Sequence, residues 1–441
     1  MAILGEHKGA VEHPRRVAVI GAGYVGIPTA LLLSHFGHQV VLAERDDYRR
    51  STMQDGRSPI IEEDLEELLR SVLETQRLRI IGDAAEAVVD AEFVFLCVNT
   101  PMGIDGHADL SFIDGACEQI KDHLMPGAVV INKSTVPVGT TIRVAAALGR
   151  SDVAVVSNPE FLREGTAVRD SFGPDRTVVG GDDLEVAATV GGLFALTGAP
   201  LVVTDAATAE LIKYAANTFL TTKLSFINAM SQLCDALGAN AVDLVRGIGH
   251  DPRIGFSFLN PGPGWGGPCL PKDSHALVAI AESVGEQIPL ISAAIETNSR
   301  QQRHIVQRVQ ELAGGSLAGA RIAVLGLTFK ANTGDRRDSP ALVITKLLRD
   351  AGAEITAYDP TVPVDASDDD VKGLTLCASV LEAARDARVL LILTEWNEFR
   401  ELDFDALGGV MAQRAVFDGR NILDLDTARS AHFVAWGIGR S

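Results

Sequence analysis

The sequence has little of several things that mark out protein classes. Aromatic residues make up 5% of its 441 positions, and there are five cysteines, at 97, 117, 234, 269 and 377. They form no paired Cys-x-x-Cys spacing, so no metal site is expected, and their odd number suits a reducing compartment. No segment carries the roughly 18 unbroken apolar residues of a membrane-spanning helix. The first fifteen residues, rich in Glu, His and Arg, hold no apolar core of signal-peptide length. A cytoplasmic protein with no membrane partner is the expectation. Positive charge is scarce as well: 39 Lys and Arg against 58 Asp and Glu give a formal net charge of -19. That argues against nucleic acid as a partner while allowing a local basic pocket for phosphate.

What is present reads as aliphatic α/β core. Apolar residues reach 46% and charged residues 22%, and the length exceeds what one hydrophobic core accommodates, so two or three domains are expected. Residues 16–44 run as apolar strand, glycine turn, apolar helix and second strand. The turn is Gly21-Ala-Gly23-Tyr24-Val25-Gly26, and Glu44 ends the second strand. A Gly-x-Gly-x-x-Gly in this setting lays a dinucleotide pyrophosphate on a helix N-terminus, and a carboxylate at the end of the next strand accepts from the ribose hydroxyls. This favours NAD over its 2'-phosphorylated form; Arg45 and Arg49 pull the other way, since either can meet a 2'-phosphate.

Further strands are expected at residues 93–98, 129–133 and 153–157, as a doubly wound parallel sheet requires. Each runs into polar chemistry: Asn99-Thr100-Pro101, Ser134-Thr135-Val-Pro137, and Asn158-Pro159-Glu160 through Glu164-Gly165. Ligands of open α/β sheets bind at the carboxyl ends of strands, so these tips should converge on the cofactor's reactive end. Turn chemistry also uses Asn, Thr and Pro, and for Thr100 the two readings stand level. A long helix from about 206 to 237, capped by Thr204-Asp205, should connect domains, and its surplus of apolar positions suggests a partner subunit. Lys213 and Asn217 lie one turn apart on it. A second helical stretch is expected over about 279–312. Strand and helix alternation resumes at residue 321, where Gly326 is not followed by a second Gly-x-x-Gly. Lys330, Arg336, Arg337 and Arg420 there suit phosphate.

Between the helices lies Gly262-Pro-Gly-Trp-Gly-Gly267-Pro268-Cys269-Leu-Pro271-Lys272-Asp273. Glycines let this loop pass close to a ligand, and its prolines restrain it. Pro271 suits the first turn of a following helix. A thiol beside an ammonium and near a helix N-terminus ionises more easily, so Cys269 is a candidate nucleophile, with simple packing as the alternative. A dinucleotide domain, a thiol, a lysine, an asparagine and a cation-rich second domain suggest two successive oxidations, in which a thiolate traps an aldehyde and two NAD are consumed.

The motifs Gly21 to Gly26, Val98 to Pro101, Ser134 to Thr140, Asn158 to Gly165, Pro174-Asp-Arg176, Asp251 to Gly255 and Gly266 to Asp273 together resemble the nucleotide-sugar 6-dehydrogenases. The likeness runs from Val17 to about Asp424. Pro174 to Arg176 and Asp251 to Gly255 are more similar to the UDP-glucose branch than to the GDP-mannose branch. It implies two Rossmann-like domains joined by a central helical region with a long connecting helix: an NAD domain at 1–204, a helical dimerisation region with the cysteine loop at 205–312, and a UDP-sugar domain at 313–441. It also implies NAD-dependent four-electron oxidation of UDP-glucose to UDP-glucuronate, with GDP-mannose or a thymidine diphosphoglucose as alternative substrates. Cys269 would be the covalent nucleophile, with Lys213 and Asp273 managing proton and oxyanion chemistry. Asn217 and Thr135 would position substrate or water, and Glu160 would act as a base. Gly21, Gly23, Tyr24, Val25, Gly26, Glu44, Arg49, Thr100, Thr135, Glu164 and Arg337 would hold NAD. Glu160, Phe161, Leu162, Lys213, Asn217, Phe258, Gly266 and Lys330 would border the substrate, and Arg253 would reach the sugar of a neighbouring subunit in a homodimer or a multiple of it. Pro268 stands where Ser is common in the family, and Glu44 where Asp is commoner. Two other classes fit parts of the pattern: a two-electron hydroxyacid-type dehydrogenase, in which Cys269 is idle, and a non-catalytic nucleotide-binding protein, in which it is a sensor thiol.

Overall fold

A computed structural model describes residues 11–103 and 108–440. The first ten of the residues that bear on a signal peptide lie outside these. The chain divides into two compact units, Met1–Ala216 and Asn217–Ser441.

The first unit is an eight-stranded sheet in the order β3-β2-β1-β4-β5-β6-β7-β8. Its strands are β1 (Arg16–Ile20), β2 (Gln39–Ala43), β3 (Leu78–Ile81), β4 (Phe93–Leu96), β5 (Val129–Asn132), β6 (Ala154–Ser157), β7 (Thr177–Gly181) and β8 (Leu201–Thr204). Successive residues of the central strands feed opposite helical layers: Val17, Val19, Phe93 and Phe95 join one core, and Ala18, Ile20, Val94 and Leu96 the other. A strand buried on both faces must read as a continuous apolar run, and these do. The strand order reverses between β1 and β4, which leaves a crevice at their carboxyl ends. A doubly wound parallel sheet was expected from sequence, but the sheet is mixed, because β7 runs antiparallel to β6. The chain returns through a loop and the short helix Ala167–Phe172 without a crossover. β7 reads Thr-Val-Val-Gly-Gly and ends in residues of poor strand propensity, which hid it in the sequence.

Five helices bear on the site: α1 (Gly26–His35), α2 (Ala206–Leu237), α3 (Leu270–Ser283), α4 (Pro289–Leu312) and α5 (Pro340–Asp350). α2 has the expected limits, and the Asp205 carboxylate accepts from Thr208 N at 2.8 Å to cap it. The single helix expected over 279–312 is instead two. α3 begins nine residues earlier, with Pro271 in its first turn; it stops before Gly285, at φ +79°, and Pro289 opens α4. Glycine past one helix end and proline inside the next start make a break that apolar periodicity alone does not show.

The second unit carries a six-stranded, wholly parallel sheet in the order β11-β10-β9-β12-β13-β14. Its strands are β9 (Arg321–Leu325), β10 (Glu354–Tyr358), β11 (Thr375–Leu376), β12 (Val389–Ile392), β13 (Ala415–Asp418) and β14 (Val434–Gly437). β14 lies beyond Asp424, where the likeness to the nucleotide-sugar dehydrogenases ends.

Candidate active site

In the first unit the glycine turn is shaped by contacts that exclude side chains. Gly21 sits at φ +98°, where a Cβ would lie 2.7 Å from the Cys97 carbonyl oxygen, and a Cβ on Gly26 would lie 1.8 Å from that of Gly21. A Cβ on Gly23 would meet nothing within 4 Å, so this glycine faces open space. No side chain caps α1 and no acid occupies its first turn. A helix N-terminus left in that condition suits an anion. The Glu44 carboxylate accepts from Ala22 N at 3.0 Å and Asp46 N at 2.9 Å, and Arg49 Nη2 donates to Ala22 O at 2.7 Å. Gly21, Gly23, Glu44, Arg49 and Asn99 line one groove of about 590 Å³. This cradle fits a dinucleotide: two glycines close it, a third opens it, and a carboxylate stands at its rim.

Hydrogen bonds tie neighbouring strand tips to one another. Thr100 Oγ1 donates to Thr135 O at 2.8 Å, and Ser134 Oγ donates to Val98 O at 2.7 Å, which ties the β4 and β5 ends together. Lys133 Nζ donates to Asn158 Oδ1 at 2.9 Å and ties β5 to β6. Beyond β6, Glu160 is buried and accepts from Lys213 Nζ at 2.9 Å and Leu162 N at 2.6 Å. Two cations lie over the Phe161 ring, Arg176 at 3.4 Å and Lys213 at 5.5 Å from its centroid. Leu162 and Glu164 are half-buried, as are Tyr24 and Val25 in the glycine turn.

In the second unit Cys269 occupies the N-cap position of α3 and is half-buried. Asp273, fully buried one turn on, accepts from Asn217 Nδ2 at 2.5 Å and from Lys272 Nζ at 2.8 Å. The ammonium expected beside the thiol therefore serves the carboxylate. The loop before Cys269 is clamped by amides. Asn298 exchanges hydrogen bonds with both backbone groups of Trp265, Gln301 donates to Gly262 O, and Asn228 Oδ1 accepts from Gly262 N. A Cβ on Gly266 would lie 2.0 Å from Asp338 O. The other four cysteines are buried. Burial pushes the Cys97 thiol up to about 12 and that of Cys117 to about 11, and raises Cys234 and Cys377.

The Arg253 side chain is 87% exposed and pairs with Asp251 at 2.6 Å. Phe258 is half-buried at φ +61°. Arg337 pairs with Asp335, Arg336 with Asp368, and Lys330 Nζ lies 5.4 Å from the Phe329 ring centroid. Arg420 donates to the Leu393 and Phe329 carbonyls. Sequence reasoning missed Glu62, whose carboxylate accepts from Gly165 N at 2.8 Å and from Ala167 N and so anchors the loop that carries Glu160. It missed Glu210, which accepts from Gly139 N and Thr141 N and so holds the loop that carries Thr135. Lys133 was missed as well, although a charged residue closing an apolar strand was a signal available to be read. Among the described residues no group of three or more His, Cys, Asp or Glu is placed to hold a metal ion, and no helix is long and apolar enough to cross a membrane.

A doubly wound sheet with this cradle, strand tips bearing buried acid and base, and a half-buried thiol defines a nicotinamide-dinucleotide-dependent oxidoreductase. The chain belongs to the UDP-glucose/GDP-mannose dehydrogenase family: the family's NAD binding domain matches residues 15–197, its central domain 207–300 and its UDP binding domain 323–425. NAD is its cofactor. It is 43% identical over 435 residues to the UDP-glucose 6-dehydrogenase of Rhizobium meliloti, covering 96% of this chain and 99% of the relative. A UDP-glucose dehydrogenase structure from the archaeon Pyrobaculum islandicum superposes with a TM-score of 0.89 at 33% identity, covering 97% of this chain and 98% of that one. A UDP-D-ManNAc dehydrogenase structure from Pyrococcus horikoshii gives 0.85 at 28% identity, with 96% and 99% covered.

Proposed function

We propose that the chain oxidises UDP-glucose to UDP-glucuronate and forms two NADH per turnover. The single observation that carries the chemistry is the contrast among the thiols: one cysteine is half-buried at a helix N-cap, while four are sequestered. The naming of the relatives carries the substrate. NAD, when bound, supplies the hydride acceptor for each oxidation. Cys269 as thiolate adds to the C6 aldehyde and forms a C–S bond. Lys213 and Asp273 hold and return the proton of the C6 oxygen, and Asn217 and Thr135 orient substrate and water. After the second oxidation has produced a thioester, Glu160 takes a proton from the attacking water, the C–S bond breaks, and carboxylate and thiolate are released.

In this reading the glycine turn, Glu44, Arg49, Thr100, Thr135, Glu164 and Arg337 hold NAD, and Phe161, Leu162, Phe258, Gly266 and Lys330 border the sugar nucleotide. The working division is 1–204, 205–312 and 313–441. Phe219, Phe226, Leu233 and Leu237 are exposed at helical spacing on α2, which supports a homodimer through that face, with Arg253 reaching the partner's sugar. Five free cysteines support a cytoplasmic setting.

The test is the count of NADH per UDP-glucose consumed, with GDP-mannose, thymidine diphosphoglucose and UDP-N-acetylmannosamine run beside it. Two NADH with UDP-glucose, and loss of net acid formation in Cys269→Ala, are expected. One NADH, or normal turnover by that variant, sinks the thioester route; two NADH with another donor only moves the substrate.

A further inference from the structure

Lys133 stands at the end of β5 and is 8% exposed. An ammonium in that setting costs free energy unless it does something a neutral residue cannot. Its Nζ donates to Asn158 Oδ1 at 2.9 Å and lies 5.1 Å from the Phe194 ring centroid. The Asn158 amide in turn donates to Val178 O at 2.7 Å, so the carboxamide is fixed at both ends. Two residues on, Glu160 takes its hydrogen bond from Lys213. Lys133, Asn158, Glu160, Phe161 and Arg176 share the wall of one small cavity. The first unit thus buries a second lysine near the carboxylate that Lys213 engages, and the reaction as proposed does not use it.

We propose that Lys133 is a positioning residue of the oxidation: through its hydrogen bond to Asn158 it holds the Asn158 to Glu160 turn in place. The inference rests on the proposed function. The groups that face Lys133 are Cys97 from the end of β4, Asn158 and Glu160 beyond β6, Phe194 from the turn after the helix Leu184–Gly192, and Lys213 from α2. Burial pushes Lys133 below the ordinary lysine value, with Lys213 acting in the same direction and Cys97 and Glu160 against it. For a lysine depressed in the fold, the unfolded chain binds more protons below the ordinary lysine value. Removing the side chain removes that unfavourable charge term, while Lys133→Met also leaves the buried Asn158 Oδ1 without its donor, so the two effects on stability oppose each other.

The experiment uses the full chain with NAD and UDP-glucose, comparing wild type with Lys133→Met and Lys133→Gln. Both variants are expected to fold and to keep the Kd for NAD and the KM for UDP-glucose within about threefold. In Lys133→Met kcat is expected to fall tenfold or more, on the scale of a displaced catalytic group. Lys133→Gln, which keeps a donor for Asn158, is expected to lose clearly less kcat than Lys133→Met. A kcat that stays within threefold of wild type in Lys133→Met overturns the proposal, as does an equal loss of kcat in both variants, or a parallel loss of Tm and NAD binding, including failure of both variants to fold. Absence of NADH formation by the wild type with UDP-glucose defeats the functional reading instead, so the two failures are distinct.

Discussion

After β2 the chain places Glu44, and after β10 it places Asp359; both carboxylates accept backbone N–H groups of the turn that follows the preceding strand. Glu44 takes Ala22 and Asp46, stays half-exposed, and stands at the rim of an open groove. Asp359 is 2% exposed, and its two oxygens take Leu327 N, Thr328 N and Oγ1, Thr361 N and Oγ1, and Trp396 Nε1. The same strand, turn and helix therefore serve two ends. In the first unit the turn is left available to a ligand, and in the second it is sealed by its own acid. The glycines agree. Gly23 faces open space, whereas Gly326, at φ +91°, packs where a Cβ would lie 2.3 Å from that of Thr394. A Rossmann-like topology does not by itself make a dinucleotide site; what decides is whether the acid after the second strand is free to turn outward.

The largest effect that tests this contrast is at the glycines. Gly26→Ala forces a Cβ into a carbonyl oxygen and is expected to abolish NAD binding, measured by titration. Gly326→Ala is expected to unfold the second unit, seen by limited proteolysis, while NAD binding by the first survives. If both lose NAD equally, the two units do not fold independently. Next in size, Asp359→Ala leaves several buried donors unmet and should cost about 2–4 kcal/mol by denaturant titration with little change in NAD affinity. Glu44→Ala should do the reverse, weakening NAD about tenfold or more with a small stability change; equal stability losses would erase the distinction. Gly23→Ala, which meets nothing in the fold, is expected to keep Tm and weaken NAD alone. The smallest effect concerns the thiols. At pH 8 iodoacetamide should label one cysteine per chain, Cys269, because burial holds Cys97 near 12 and Cys117 near 11. Peptide mapping that finds a second fast thiol would contradict this.

Much of the first unit was legible because its signals are local. Apolar runs bounded by polar tips, Gly21 to Gly26, and Glu44 at the end of β2 each sit within a few residues of what they act on. β7 was hidden because it ends in two glycines, residues of poor strand propensity, and the division between α3 and α4 because periodicity continues across Gly285. Glu62 had no local signal at all: its partners Gly165 and Ala167 lie more than a hundred residues away.

By itself the sequence determined the family, the NAD fold, the identity of the candidate nucleophile and the extent of α2, since residue type, period and spacing carry these. Only the tertiary structure decided which cations find acids of their own, as Lys272 finds Asp273 and Arg337 finds Asp335. It also decided which of two equivalent turns stays open and that Lys133 is buried beside Asn158. Partnership and burial depend on which surfaces fold against each other, and a charged side chain has the same letter whether solvated, paired or buried.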